Sequence, residues 1–447
     1  MNNQKYYHII TFGCQMNKND SERMESILRN MGLQNTEDEK KADVIILNSC
    51  SVRISAEDRV FGRTRNYNKW KLKDKPDLIV CVTGCMPGRD KGEKMGKKLR
   101  GVDLYFPTKQ MINLPKWLAE INPEFRREDL EEDYLVLNPV RRNKFQAFVT
   151  IQTGCNHFCS YCVVPFSRGL EVNRPLKDIM EEIKDLAKKG YIEITLLGQI
   201  VNHYISPDPE NFSKENPYKE SDFAKLLWEV NEIDGVERIH WTAPHPIFMT
   251  DEVIDALTLP KQMNFLHLPV QSGSTKILEK MNRRHTREFF LDIIKKIKEK
   301  KPEIAIGTDL IVGFCGESEK DFEETVSLYK ECDFDISYPA QYSSRSGTVS
   351  AKFFEDDVPK KEKKRRWQII QNMMKERVYE KNQKYIGKVV NVLVDECKNG
   401  WCSGQSKEMK LTRFKGGDEL VGKIIPVEVF KAEEWILWAR TRQQTND

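Results

Sequence analysis

Cys155, Cys159 and Cys162 lie within eight residues at a C-x3-C-x2-C spacing, and no fourth cysteine follows them closely. A structural zinc site closes a tetrahedral shell with four ligands, whereas three thiolates on a four-iron cubane leave one iron without a protein ligand, where a small molecule can bind. Two other readings stay open on spacing alone: His157 completing a zinc site, or three core cysteines, since cysteine is among the most buried residue types. A second trio is spread along the first hundred residues. Three apolar, largely β-branched runs end in Cys14, Cys50 and Cys85, spaced 36 and 35 residues apart. Such runs with helical patterns between them predict βα units and a parallel sheet buried on both faces. Ligand sites in open parallel sheets lie outside the carboxyl ends of the strands. All three cysteines fall there, so a second metal site with one iron free is expected; Cys81, inside its run, reads as core.

Periodicity gives the helices and strands around these cysteines. Between the first two runs Met24, Ile27, Leu28 and Met31 recur at i, i+3, i+4, i+7, with Asp20 or Ser21 to cap the helix and Gly32 to end it. Segment 104–143, charged and holding Pro107, Pro115, Pro123 and Pro139, reads as a surface connection, with its 124–133 run the most polar part. Beyond it, strand candidates at 147–152, 192–197, 238–242, 265–269, 304–312 and 335–342 make six βα units in about 210 residues, a partial (β/α)6 barrel whose site belongs at the strands' carboxyl ends. Cys155 follows the first of these strands. A helix from near Pro175 carries Ile179, Ile183 and Leu186 and stops at Gly190.

Polar and glycine-bearing stretches occupy the strand ends: Leu196-Leu-Gly-Gln199-Ile-Val-Asn202, Thr242-Ala-Pro-His245-Pro246, Leu266-His267-Leu-Pro-Val-Gln271-Ser-Gly273 and Gly307 to Glu317, which includes Gly313. His245 or His267 taken singly reads as a hydrogen-bonded structural histidine. Arg168 and Arg174, just beyond the cysteine loop, suit a carboxylate or phosphate, or an ion pair with Glu171. The run 359–366 places six positive residues in the first turns of a helix, against its macrodipole; it reads either as a solvated face or as a phosphate-contacting patch. After Gly387 short strands at 389–395, 424–430 and 435–439, with an Asn399-Gly400 hairpin turn, predict a small all-β barrel of about 55 residues. Cys397 and Cys402 would face each other there as a plain cross-strand pair. The fold class expected is multidomain α/β: a parallel-sheet α/β unit at 1–120, the partial barrel with a trailing helix at 144–380, and the small β-barrel at 383–443.

At 447 residues the chain exceeds what one core supports. Its 72 Lys+Arg against 68 Asp+Glu leave a net charge of +4, so nucleic-acid contact must come from local patches. The amino terminus has no signal-peptide pattern and no window approaches the ~18 apolar residues of a membrane span. A cytoplasmic protein is expected, and eleven cysteines in a reducing compartment argue for metal or catalytic use over a disulfide framework.

With Tyr161 before its last cysteine, the central motif resembles the C-x3-C-x-aromatic-C signature of the radical S-adenosylmethionine enzymes. That likeness implies an open iron chelating the amino and carboxylate groups of S-adenosylmethionine, whose sulfonium is cleaved to give a 5′-deoxyadenosyl radical. Thr11-Phe-Gly-Cys14-Gln-Met-Asn17, Asn48-Ser-Cys50-Ser-Val-Arg53 and Gly84-Cys85 resemble the amino-terminal domain of the radical methylthiotransferases, which holds an auxiliary four-iron cluster through three cysteines. The wording is closer to the subgroup acting on isopentenyladenosine in tRNA than to those acting on threonylcarbamoyl-adenosine or a ribosomal-protein aspartate. The carboxyl-terminal pattern resembles the RNA-binding TRAM domain.

The resemblance implies two 4Fe-4S clusters, on Cys14, Cys50 and Cys85 and on Cys155, Cys159 and Cys162. It implies S-adenosylmethionine contacts from Arg168, Arg174, Gln199, Gln271, Gly313 and Glu317, and methylthiolation of adenine carbon 2 at position 37. The implied partners are the tRNA anticodon stem-loop and an electron donor such as flavodoxin or ferredoxin, with the enzyme a monomer that needs no membrane. The family's usual serine, asparagine and proline are replaced here by Asn173, Ile200 and Cys315. A zinc-containing RNA-binding protein without catalysis is the reading outside the family.

Overall fold

A computed structural model describes residues 4–51, 54–125, 134–135 and 137–441. Five parallel strands, β1 (Tyr6–Phe12), β2 (Gln34–Asn35), β3 (Val44–Ser49), β4 (Ile79–Gly84) and β5 (Leu104–Tyr105), form one sheet in the order β2-β1-β3-β4-β5. β3 and β4 are buried along their whole length, as continuous apolar runs require. Helices α1 (Gln15–Asn30), α2 (Ile54–Lys73), α3 (Cys85–Arg89) and α4 (Leu114–Ile121) complete the unit. The first differs from expectation: α1 begins directly after Cys14, and Asp20 and Ser21 are buried inside it instead of capping it. One side of α1 covers the sheet while Asn19 on another reaches the barrel, donating to Phe148 O at 3.3 Å.

Segment 104–143 is also less exposed than its composition suggests. Leu114, Leu118, Tyr134 and Leu135 are buried in the core of this unit. The buried Arg23 guanidinium donates to the carbonyls of Leu135, at 2.8 Å, and of Leu137, because a guanidinium out of water must find acceptors. The greater part of the 124–133 run lies outside the described residues.

The second unit is a six-stranded partial barrel. Strand β6 (Gln146–Thr150) leads into the ribbon of β7 (Gln152–Thr153), which precedes the cysteine loop and α5 (Val164–Arg168), and β8 (Val172–Asn173). Then follow α6 (Leu176–Lys188), β9 (Glu193–Leu197), α7 (Asp222–Asn231), β10 (Arg238–Trp241), α8 (Asp251–Ala256), β11 (Phe265–His267), α9 (Thr275–Lys280), α10 (Arg287–Lys300), β12 (Ala305–Val312), α11 (Glu319–Cys332) and β13 (Ile336–Gln341). All pairings among the six long strands are parallel, in the orders β10-β9-β6 and β11-β12-β13, with an Ile239–Gln262 bridge between the halves. Ile179, Ile183 and Leu186 of α6 enter the main core as predicted, and Gly190 turns the chain with φ +88°.

After the short α12 (Val349–Phe353), α13 (Lys360–Gln383) carries the basic run. Much of that run is neutralised within the protein: Arg365 pairs with Glu319 and Glu362 at 2.6 Å, Arg366 with Glu317 at 2.7 Å, and Lys363 with Asp356. The chain ends in a closed barrel of β14 (Val389–Lys398), β15 (Trp401–Ser406), β16 (Leu411–Lys415), β17 (Ile424–Ala432) and β18 (Leu437–Arg440). β16 was not expected. The turn at Asn399-Gly400 has φ of +53° and +77°, as a two-residue hairpin requires. Cys397 and Cys402, paired in register with Cα atoms 4.0 Å apart, are joined in a disulfide instead of remaining a plain cross-strand pair. Arg238, at the amino end of β10, donates to Gln405 O and Asn391 O at 2.9 and 2.6 Å and so docks the small barrel beneath the large one.

Candidate metal centres

The amino-terminal trio is assembled by strand register. Phe12, Ser49 and Gly84 stand side by side across β1, β3 and β4. Cys50 and Cys85 are each one residue beyond that row, and Cys14 two, so all three emerge at the same carboxyl edge. Buried side chains lock the edge: Asn48 Nδ2 donates to Asn17 O at 2.8 Å and Ser21 Oγ at 2.9 Å, and Asn17 Nδ2 donates to Asn48 Oδ1 at 3.1 Å. Gly84 adopts φ +99°, and a Cβ there would meet Ser49 O at 2.3 Å, so only glycine admits this turn into Cys85. Enclosing protein pushes the Cys14 thiol up, and the nearby Arg168 cation offsets only part of that rise. Cys14 is nonetheless solvent-accessible, while Cys50 and Cys85 are buried. Val52 and Arg53 of the second motif lie outside the described residues.

The second trio occupies the loop between β7 and α5, at the carboxyl end of the large barrel. His157 N donates to Cys155 Sγ and Val164 N to Cys162 Sγ, each at 3.4 Å, contacts that favour thiolate. Burial pushes the free thiols up, Cys155 to about 11 and Cys162 to about 12, so loading a metal must displace protons. Among the described residues the donor atoms that close within 4.8 Å of one another belong to His157, Cys159 and His245. Neither cysteine trio closes so tightly, whereas four ligands around one zinc at ~2.3 Å stand ~3.8 Å apart. His157 therefore does not close a four-ligand site with all three cysteines in this arrangement.

The helices that follow the two trios touch. Helix α3 starts at Cys85 and α5 starts two residues after Cys162, and a Cβ on Gly88 would lie 2.2 Å from Ser167 O. Beside this contact the Arg168 guanidinium, buried with Asp20, donates to its carboxylate at 2.6 Å. Arg168 thus faces the amino-terminal trio. Arg174 donates to Thr150 O at 2.8 Å and Glu182 at 2.7 Å, bracing β6 on α6. Gln199 and Gln271, both partly exposed at strand ends, make no side-chain hydrogen bond among the described residues. Gln271 also holds the left-handed φ of +78°, strain of the kind that gathers at ligand sites.

Glu317 closes its own turn, accepting from Gly313 N at 2.6 Å, and is clamped by Arg366. Two of the three departures from the family pattern meet at Gln152, whose amide donates to Asn173 Oδ1 at 3.1 Å and accepts from Ile200 N at 3.2 Å. Cys315 is buried in a small cluster with Ile277, Met281, Phe314 and Tyr342. His245 caps a short turn by accepting from Ile247 N at 3.3 Å, and His267 pairs with Asp309 at 3.0 Å in the barrel interior.

Sequence reasoning missed the segment 280–284. Ser160 N donates to Met281 O at 3.0 Å, Ser160 Oγ to Lys280 O at 2.7 Å, and Asn282 Nδ2 to His157 O and Phe158 O at 3.1 and 3.0 Å. Arg283 Nη1 donates to Cys159 Sγ at 3.7 Å. The one local signal was two adjacent arginines without an acidic neighbour.

The model of the Radical SAM superfamily matches residues 149–329, and that of the Uncharacterized protein family UPF0004 matches residues 6–107. A tRNA-2-methylthio-N(6)-dimethylallyladenosine synthase of Clostridium botulinum (strain Okra / Type B1) is 42% identical over 442 residues, 96% of each chain. One of the same name from Clostridium tetani (strain Massachusetts / E88) is 43% identical over 440 residues, 96% of this chain and 95% of the relative. The radical S-adenosylmethionine methyltransferase TsrM of Kitasatospora setae, solved with cobalamin and a 4Fe-4S cluster bound, superposes with TM-score 0.53 at 12% identity. That superposition covers 94% of this chain and 82% of the other, a likeness of fold alone.

Proposed function

This chain belongs to the radical S-adenosylmethionine methylthiotransferases, the family of the tRNA-2-methylthio-N(6)-dimethylallyladenosine synthases, and from that premise we propose that it methylthiolates carbon 2 of isopentenyladenosine in tRNA. The reading is carried by one observation: two cysteine trios, each at the carboxyl edge of a parallel sheet, are brought together by the contact of α3 with α5. Cys155, Cys159 and Cys162 hold one 4Fe-4S cluster, and Cys14, Cys50 and Cys85 hold the other. When bound, the clusters and S-adenosylmethionine supply methyl and sulfur donation and a carbon radical able to activate an aromatic C–H that acid–base chemistry leaves inert.

The chain's own residues bind and orient. The amides of His157 and Val164 steady two thiolates, and the side-chain amides of Gln199 and Gln271, without a partner among the described residues, offer polar contacts for S-adenosylmethionine. The Arg168–Asp20 pair keeps the two sheet edges in register. The base, at position 37 beside the anticodon, must leave its stack to reach the seam, and the small β-barrel grips the stem-loop. A low-potential flavodoxin or ferredoxin delivers electrons to a monomeric, cytoplasmic enzyme; among the described residues no helix is long and apolar enough to cross a membrane.

Anaerobic reconstitution with iron and sulfide, followed by nucleoside analysis of an isopentenyladenosine-containing anticodon stem-loop, tests the reading. About eight irons per chain and a 2-methylthio product are expected, with C159A losing 5′-deoxyadenosine formation and C50A keeping cleavage but not product. Full product from C50A would overturn the role of the amino-terminal trio. Parallel assays with threonylcarbamoyl-adenosine RNA and a ribosomal-protein aspartate check the substrate.

A further inference from the structure

Segment 280–284 lies across the cysteine loop of the large barrel, and its left-handed residues Asn282 (φ +56°) and Arg284 (φ +59°) turn it back on itself. Between them Arg283 points inward and is only 6% exposed. Its Nη2 donates to Pro269 O at 2.8 Å and its Nη1 to Cys159 Sγ at 3.7 Å, across 124 residues of sequence. Among the described residues Nε has no partner and no carboxylate pairs with this guanidinium.

Two other buried arginines near the cysteine loops are balanced by carboxylates, Arg168 by Asp20 and Arg174 by Glu182, whereas buried Arg23 is met by the carbonyls of Leu135 and Leu137. A buried, unpaired guanidinium is costly, so its counter-charge must come from elsewhere in the enclosure. The ionisable groups nearest it are the Tyr161 phenol and the sulfurs of Cys159 and Cys162, and those sulfurs carry negative charge once they hold a metal.

We propose that Arg283 is a positioning residue for the carboxyl-end cluster: it donates to the Cys159 sulfur, fixes that ligand, and its charge makes the centre easier to reduce. This rests on the methylthiotransferase reading and goes beyond it by naming what tunes the electron-accepting site. The step is a one-electron transfer from a low-potential donor, oxidised by one electron as the centre gains one; no bond forms or breaks and no proton moves. The added negative charge arrives beside a fixed cation in a poorly hydrated enclosure, where that cation acts most strongly, and hydrogen bonds to cluster sulfurs are an established lever on potential.

The test uses the full-length chain carrying C14A/C50A/C85A, so that one cluster is read. It is poised with dithionite and viologen mediators, without S-adenosylmethionine, and followed by electron paramagnetic resonance. R283M is expected to keep its iron while the reduced-to-oxidised ratio at the parent's midpoint falls about tenfold, which is about 59 mV for one electron. R283K, which keeps charge but loses the planar fork, is expected to fall in between. R283M with full iron and an unmoved midpoint overturns the proposal. So does R283M that, in a separate S-adenosylmethionine titration of the same chains, binds the cofactor more weakly at an unmoved midpoint, which would make Arg283 a cofactor contact. If R283M does not retain iron, R283K decides: a midpoint and spectrum equal to the parent's overturn the proposal. A parent chain that assembles no cluster would instead defeat the assignment of a cluster to Cys155, Cys159 and Cys162 on which the proposed function rests.

Discussion

Arg168 Nη2 donates to Asp20 Oδ2 at 2.6 Å, joining the radical barrel to the amino-terminal sheet through two side chains that are 3% and 2% exposed. Removing one partner of such a pair strands a buried charge at a cost of about 3–5 kcal/mol, whereas replacing both by apolar groups of similar volume costs far less. D20N is therefore expected to lower the urea-unfolding free energy of the unloaded protein by about 3 kcal/mol. The double variant D20L/R168M should recover most of it. A double variant no more stable than D20N would mean that the pair is not what holds the seam.

The same seam depends on Gly88. Its missing Cβ leaves room for Ser167 O, which an added carbon would approach to 2.2 Å, and the obstructing atom is backbone, so neither helix can yield by a rotamer change. G88A must push α3 off α5, and with it Cys85 away from the loop of Cys162. Methylthiolated product should fall at least tenfold, while iron content and 5′-deoxyadenosine formation stay within about twofold of the parent, since each trio remains intact. A parallel fall in cleavage would mean that the damage reaches the barrel loop.

What could be read from the sequence was whatever chemistry fixes locally. Ligand spacing around a metal is set within a few residues, so Cys155, Cys159 and Cys162 stood out as a candidate trio, and the apolar runs before Cys14, Cys50 and Cys85 announced buried parallel strands. Features created by distant contacts stayed hidden. Asp20 near a helix start looks like a cap, and only the packing of α1 against the barrel turns it into the partner of Arg168. Arg365 and Arg366 look like a phosphate patch until α13 folds against Glu317 and Glu319. Strand β16 escaped because its inward positions are Thr412 and Phe414, and the buried threonine breaks the apolar alternation.

Acid should weaken the fold through its buried histidines. His240, in the barrel interior beside Phe265, is pushed down to about 4 by burial, against an ordinary value near 6.5. Between those limits the unfolded chain takes up a proton that the native imidazole refuses, so this contribution to stability is intact above pH 6.5 and is lost as pH falls toward 4. H240Q, which cannot titrate, should start less stable at pH 7 but lose about 2 kcal/mol less than the parent between pH 6.5 and 5. Urea unfolding at the two pH values reads the difference. Equal losses in both proteins would mean that His240 is already protonated in the fold.

The basic run on α13 offers a last division between structure and binding. Arg366 clamps Glu317, whose carboxylate also accepts from Gly313 N at 2.6 Å, so the turn at the end of β12 and the start of α13 share one buried ion pair. R366M leaves Glu317 buried and unpaired, and a loss of about 3–5 kcal/mol in stability is expected. Arg365, spent on Glu319 and Glu362, has little charge left to offer a phosphate. R365A should therefore leave the dependence of stem-loop affinity on salt unchanged, whereas each true phosphate contact removed would lower the log–log slope by about 0.7–0.9. Filter binding of the stem-loop from 50 to 200 mM salt measures that slope, and a fall of this size in R365A would return the run to the RNA interface.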